Sequence, residues 1–131
     1  SYVDYQHRGL VRFQIDVLGL DTVSKMGLVI ECKHWHRIYK QRSKLIDAVK
    51  EHIRRVERLV KFCEWVAINI PTIRRVQIFI PVLIVLRPLM PKVVEGVPIV
   101  ALSELGDFMN NLRSYVDELD IRRYQNRCYV R

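Results

Sequence analysis

An α/β (α+β) fold, a mixed β-sheet core flanked by helices, is predicted by three observations. Two short strand-like runs joined by turn formers open the chain, a long amphipathic helical pattern follows, and near-continuous aliphatic runs then alternate with a second helical pattern. The 131 residues suit one compact domain, half of them are hydrophobic, and neither an internal repeat nor a composition break marks a second domain.

Residues 11–18 read as the first well-marked strand, with Phe13, Ile15 and Val17 on one face and Gln14 and Asp16 on the other. Ahead of it, Gln6-His7-Arg8-Gly9 reads as a hairpin tip, either an ordinary exposed turn or a loop near a nucleic-acid groove. Gly19 to Lys25 holds turn formers, and residues 26–33 form a second strand rich in aliphatic residues, so the two are expected to pair as an antiparallel hairpin. Ile38, Leu45, Ile46, Val49, Ile53, Val56, Leu59, Val60 and Cys63 recur at helical spacing, in a helix expected to start near Gln41 to Lys44. The charges from Arg54 to Lys61, Arg55 included, read as its solvated face. Val76 to Leu86 is too short and interrupted to span a bilayer and reads as buried core, with Pro81 expected to break it into an entry segment and a buried strand. Pro88, Pro91 and Gly96 mark a loop, and Val97 to Ala101 gives another strand. Ser103 reads as the N-cap of a helix running towards Glu118. The basic, aromatic tail from Ile121 either clamps phosphates and stacks bases or docks on its own core or on a partner subunit.

Chemistry concentrates on the first two strands. Period-two alternation sends Glu31 and Lys33 to one side, and the hairpin brings Asp16 towards Glu31. Two carboxylates forced together resist ionisation unless a cation sits between them, and oxygen ligation suits Mg²⁺ or Mn²⁺. Lys33 adds a point charge that orients an attacking water or steadies charge on a phosphoryl transition state, so the set describes phosphodiester hydrolysis. His34, His36, Arg37, Lys40, Arg42 and Lys44 follow that strand at once and are expected to grip a nucleic-acid backbone, with Gln14 as a further phosphate or supporting contact. His34-Trp35-His36 lacks a third soft ligand, so it reads as phosphate contacts flanking a packing or stacking Trp rather than as a metal site.

Ile15-Asp16 followed by Glu31-Cys32-Lys33 resembles the PD-(D/E)xK nuclease superfamily, most of all its Mrr-like and archaeal Holliday-junction-resolvase branch. The resemblance runs to about residue 118 and implies a restriction-endonuclease-like core ordered roughly αβββαβ and Mg²⁺-dependent cleavage of DNA. It implies that Asp16 and Glu31 bind the metal, that the Cys32 carbonyl completes the coordination, and that Lys33 is catalytic. A homodimer would set two such sites against one substrate. Ile15 stands where the family often has Pro, and the acidic helix that many members carry before the first strand is missing ahead of Tyr2. The chain starts at Ser1 without Met and reads either as a domain cut from a longer protein or as a processed chain. A noncatalytic nucleic-acid-binding or assembly domain of the same fold is the rival expectation, and action on RNA a second.

A net charge of +8 favours a polyanionic partner. Cys32, Cys63 and Cys128 make no zinc pattern, and with no signal peptide the chain reads as reduced and cytoplasmic, with no membrane partner.

Overall fold

The structure, a computed structural model, describes residues 3–6, 12–35, 42–88 and 92–131. Strands β1 (Val3–Gln6) and β2 (Arg12–Ile15) pair antiparallel as a separate hairpin. The main sheet holds β3 (Val17–Asp21), β4 (Met26–Lys33), β5 (Ile78–Val85), β6 (Val93–Val94) and β7 (Val97–Ala101), in the order β3-β4-β5-β7-β6. A short β8 (Tyr124–Gln125) is added on β5. The β3–β4 and β6–β7 pairs are antiparallel, whereas β4–β5 and β5–β7 are parallel, which makes the sheet mixed as expected. Parallel neighbours need a crossover. Between β4 and β5 it contains α1 (Arg42–Lys61) and α2 (Cys63–Asn69), and after β7 come α3 (Leu105–Asn110) and α4 (Leu112–Glu118).

The pleat assigns the two faces. Met26, Leu28 and Ile30 of β4 join Ile80, Val82 and Ile84 of β5 under Phe108 and Val116. Val29 and Phe79 join Val56 and Leu59 of α1 and Val66 of α2, while Leu83 and Val85 meet Leu45, Val49 and Ile53. The sheet is therefore covered on both sides, which is why β5 is almost continuously aliphatic. Each such side chain contributes roughly 1.5–3 kcal/mol by leaving water. Trp35 packs on the edge of the α1 side.

Several expectations are corrected. Residues 12–18 are not one strand. The chain bends at Asp16, so Ile15 and Leu18 enter the α1 face while Val17 packs towards α3 and α4. Strand β3 extends to Asp21, and the turn is confined to Thr22–Lys25, where Asp21 Oδ1 accepts the Val23 and Ser24 N–H groups at 2.9 and 3.3 Å. Pro81 does not interrupt β5. It faces Val29 of β4, and on the other side it falls between Phe79, where β8 pairs, and Leu83, where β7 begins, so among the described residues no strand pairs with that stretch of edge.

The helical stripe breaks at Phe62 before resuming in α2. Residues 102–118 form a 3-10 turn, α3 and α4 instead of one helix, and no side-chain cap bond from Ser103 starts α3. The break at Asn111 is held by its own amide, which donates to Asp107 O and Oδ1. The loop after Pro88 closes on a two-residue hairpin, Glu95-Gly96, both at positive φ.

The tail docks on its own core. Asn126, buried, donates to the Ile73 and Val76 carbonyls at 2.8 and 2.7 Å and accepts the Cys128 N–H at 3.0 Å. Cys128 is disulfide-bonded to Cys63 in α2, and Cys32 is free, which corrects the reading of a fully reduced chain. Among the described residues no helix is long and apolar enough to cross a membrane.

Candidate functional site

The β3–β4 ladder ends at the pair Val17 and Ile30, so the last three residues of β4 run on beyond it. Asp16, at the bend, supplies what the ladder no longer does, its Oδ2 accepting the Cys32 N–H at 3.0 Å. An extended residue turns its N–H and C=O to the same edge, so the Cys32 carbonyl also faces the edge on which Asp16 stands.

Glu31 and Lys33 alternate onto the α1 face, as their spacing predicts, and lie in contact, Lys33 Nζ 3.4 Å from Glu31 Oε1. The other carboxylate oxygen receives Arg55 of α1 at 3.0 Å, and the same guanidinium reaches Glu51 at 3.1 Å. Arg55 is therefore no solvated charge. It stands one helical turn beyond Glu51 and crosses to the sheet, a role hidden by its place in a run of exposed basic residues.

Glu31 is only 6% exposed. Burial, and after it the charge of Asp16, raises its carboxyl above the ordinary value near 4.5, while Lys33 and Arg55 pull the other way. The Cys32 thiol is likewise pushed up, by burial first and by Asp16 and Glu31 after it, which keeps it protonated and unsuited to act as a nucleophile. Beneath the site His52 of α1 donates from Nε2 to the Val29 carbonyl at 2.8 Å. Its Nδ1 is buried without a hydrogen-bond partner among the described residues, and burial holds its pKa below the ordinary imidazole value. A histidine within the apolar stripe of α1 was the available signal for this residue, which sequence reasoning missed.

The remaining expected contacts are not gathered here. His34, Arg42 and Lys44 are exposed, and among the described residues none of them pairs with either carboxylate. His7, His36, Arg37 and Lys40 lie outside the described residues, as does the side chain of Gln14, whose backbone pairs with Asp4 in the β1–β2 hairpin.

Among the described residues no cluster of three or more His, Cys, Asp or Glu side chains stands ready for a metal ion. The donors present are two carboxylates and a backbone carbonyl, all oxygen. Such a set suits a hard dication that keeps several waters better than zinc, whose sites draw mostly on His and Cys. Comparison of the chain with protein-family models, curated proteins and solved structures gave no match.

Proposed function

We propose that the chain is a metal-dependent endonuclease domain of the PD-(D/E)xK kind, hydrolysing DNA phosphodiester bonds. The observation that carries this reading is Asp16 bonded across the open end of β4 to Cys32, with Glu31 and Lys33 in contact beside it. Asp16, Glu31 and the Cys32 carbonyl would hold Mg²⁺ or Mn²⁺, which supplies Lewis acidity towards the scissile phosphate. Lys33, fixed by Glu31, would place its ammonium against the attacking water or the phosphate oxygens. Arg55 and Lys33 balance the Glu31 charge in the absence of a dication. Arg55 is thus available to turn towards a phosphate once a metal takes its place on the carboxylate. His34, Arg42 and Lys44, exposed beyond the end of β4, would hold the backbone of the substrate. A two-fold dimer acting on both strands belongs to this reading. Cytoplasmic residence belongs to it as well, although the Cys63–Cys128 bridge weighs against a reducing compartment.

A second reading, a noncatalytic nucleic-acid-binding or assembly domain, is favoured by one observation. Both oxygens of Glu31 already have cationic partners, an arrangement that serves as a structural ion network without any metal.

Labelled linear, branched and single-stranded DNAs, with matched RNAs, incubated in Mg²⁺, Mn²⁺ or EDTA separate the two. The nuclease reading expects metal-dependent cutting that Asp16→Asn, Glu31→Gln and Lys33→Ala each abolish without unfolding the chain. Wild-type rates in any of these variants sink the assignment, and DNA bound but uncut in either metal transfers the case to the second reading.

A further inference from the structure

At the opposite end of β4 from Asp16, the turn Thr22–Lys25, the segment leading into β5 and the residues after Cys128 line an open cleft of roughly 730 Å³. Lys25, Arg75 and Arg131 line it together with Thr22, Gln77 and Tyr129, and among the described residues no acidic side chain does. Asp21, the nearest acid in sequence, is turned into its own loop, where it accepts the Val23 and Ser24 amides.

The walls are built rather than draped. Lys25 takes a left-handed backbone conformation at φ 62°, and its carbonyl accepts the Gln77 N–H at 2.7 Å, tying the turn to the start of β5. Val130 N–H donates to Arg74 O at 2.8 Å and Asn126 N–H to Gln77 O at 2.8 Å, while the disulfide of Cys128 anchors the tail just before Tyr129. Lys25 Nζ lies 5.5 Å from the centre of the Tyr129 ring. Its hydrogen bond to the phenol, and then its charge, lower the Tyr129 pKa despite some burial.

We propose that this cleft binds the phosphodiester backbone of a single nucleic-acid strand, with Lys25, Arg75 and Arg131 on phosphates and Tyr129 against a base. Three cationic side chains, with no acidic side chain beside them among the described residues, call for a polyanion, and the hydroxyl and amide of Thr22 and Gln77 add donors suited to phosphate oxygens. An open cleft of this volume admits one or two nucleotides of a single strand. An aromatic ring beside the cations is the arrangement by which strands are held without reading sequence. An anionic membrane is the poorer match, because the walls are a turn, the end of the 3-10 helix Pro71–Arg75 and the residues after Cys128 instead of an amphipathic helix. The proposal rests on the polyanion being a nucleic acid and is independent of whether the protein cuts it.

The test titrates the ¹⁵N-labelled full chain in EDTA with a short thymidine oligonucleotide, and separately with phosphatidylcholine vesicles containing phosphatidylserine. The amides of Lys25, Gln77, Tyr129 and Val130 should shift with the oligonucleotide and stay still with the vesicles. In anisotropy titrations the double variant Arg75→Gln/Arg131→Gln should lower the slope of log K against log salt by about 1.4, two phosphate contacts on a single strand. Oligonucleotide binding that leaves those amides unmoved, an unchanged salt slope, or shifts produced by the vesicles alone would overturn the proposal. Cutting in Mg²⁺ with a silent cleft refutes this inference only, and a responsive cleft without cutting refutes the nuclease reading only.

Discussion

Replacing Glu31 by Gln separates the electrostatics of the site from any activity. The carboxylate is 6% exposed, and burial together with Asp16 raises its pKa although Lys33 and Arg55 oppose the rise. A carboxyl raised in the folded state holds its proton more tightly there than in the unfolded chain. Its stabilising contribution is complete below about pH 4.5 and is lost as pH climbs through the raised folded value, so at neutral pH the ionised group counts against folding. Gln keeps the shape and an acceptor for Arg55 while removing the charge. The raised pKa makes the ionised carboxylate the less favourable form in the fold, and Lys33 and Arg55, each about a third exposed, turn to water when they lose it, so removing the charge should gain on the order of 1 kcal/mol at pH 7.5. For a domain of this size that is a rise in Tm of about 3–5 °C.

Thermal unfolding followed by circular dichroism between pH 4 and 8 in EDTA, as the difference between variant and wild type, measures it. The gain should vanish near pH 4. A variant no more stable than wild type at pH 7.5, or a difference that does not change with pH, refutes the electrostatic argument. Added Mg²⁺ should reverse the order, because only the wild type keeps both carboxylates to bind it, and saturation a hundredfold above Kd is worth about 2.7 kcal/mol.

His52 should contribute in the opposite sense. Its pKa is lowered, so the stability it confers is present above about pH 6.5 and is lost as pH falls below that towards the folded value. His52→Gln should flatten the acid side of the stability profile. Gly27→Ala sets a Cβ 2.8 Å from the ring of Phe79, itself fully buried, and should cost about 1–3 kcal/mol in urea unfolding. Opening the Cys63–Cys128 bridge with Cys128→Ser releases a loop of 65 residues and should cost about 4 kcal/mol, with Cys32→Ser changing little in the same assay.

Much of this architecture was legible from alternation. The faces of β4, the pairing of Glu31 with Lys33, the long α1 and the buried run before Leu86 all follow from periods of 2 or 3.6. What escaped depends on partners distant in the chain. Arg55 reads as one more exposed cation until the fold sets it against Glu31, 24 residues earlier. Pro81 reads as a break because nothing local says that the neighbour of β5 changes there from β8 to β7. The bend at Asp16 escaped for a related reason: a single polar residue satisfies an alternating pattern whether the strand continues or turns into another sheet.

The docked tail also orders events during synthesis. β5 is translated some 40 residues before β8, yet β8 supplies the pairing for Ile78 and Phe79, and Asn126 supplies donors to Ile73 and Val76. A nascent chain that has not reached Cys128 therefore exposes the start of a central strand and unsatisfied carbonyls, the surface on which another unfinished chain would most readily pair. Chaperone dependence should accordingly be greatest for truncations that stop between Val85 and Tyr124, and should fall once the final dozen residues are restored.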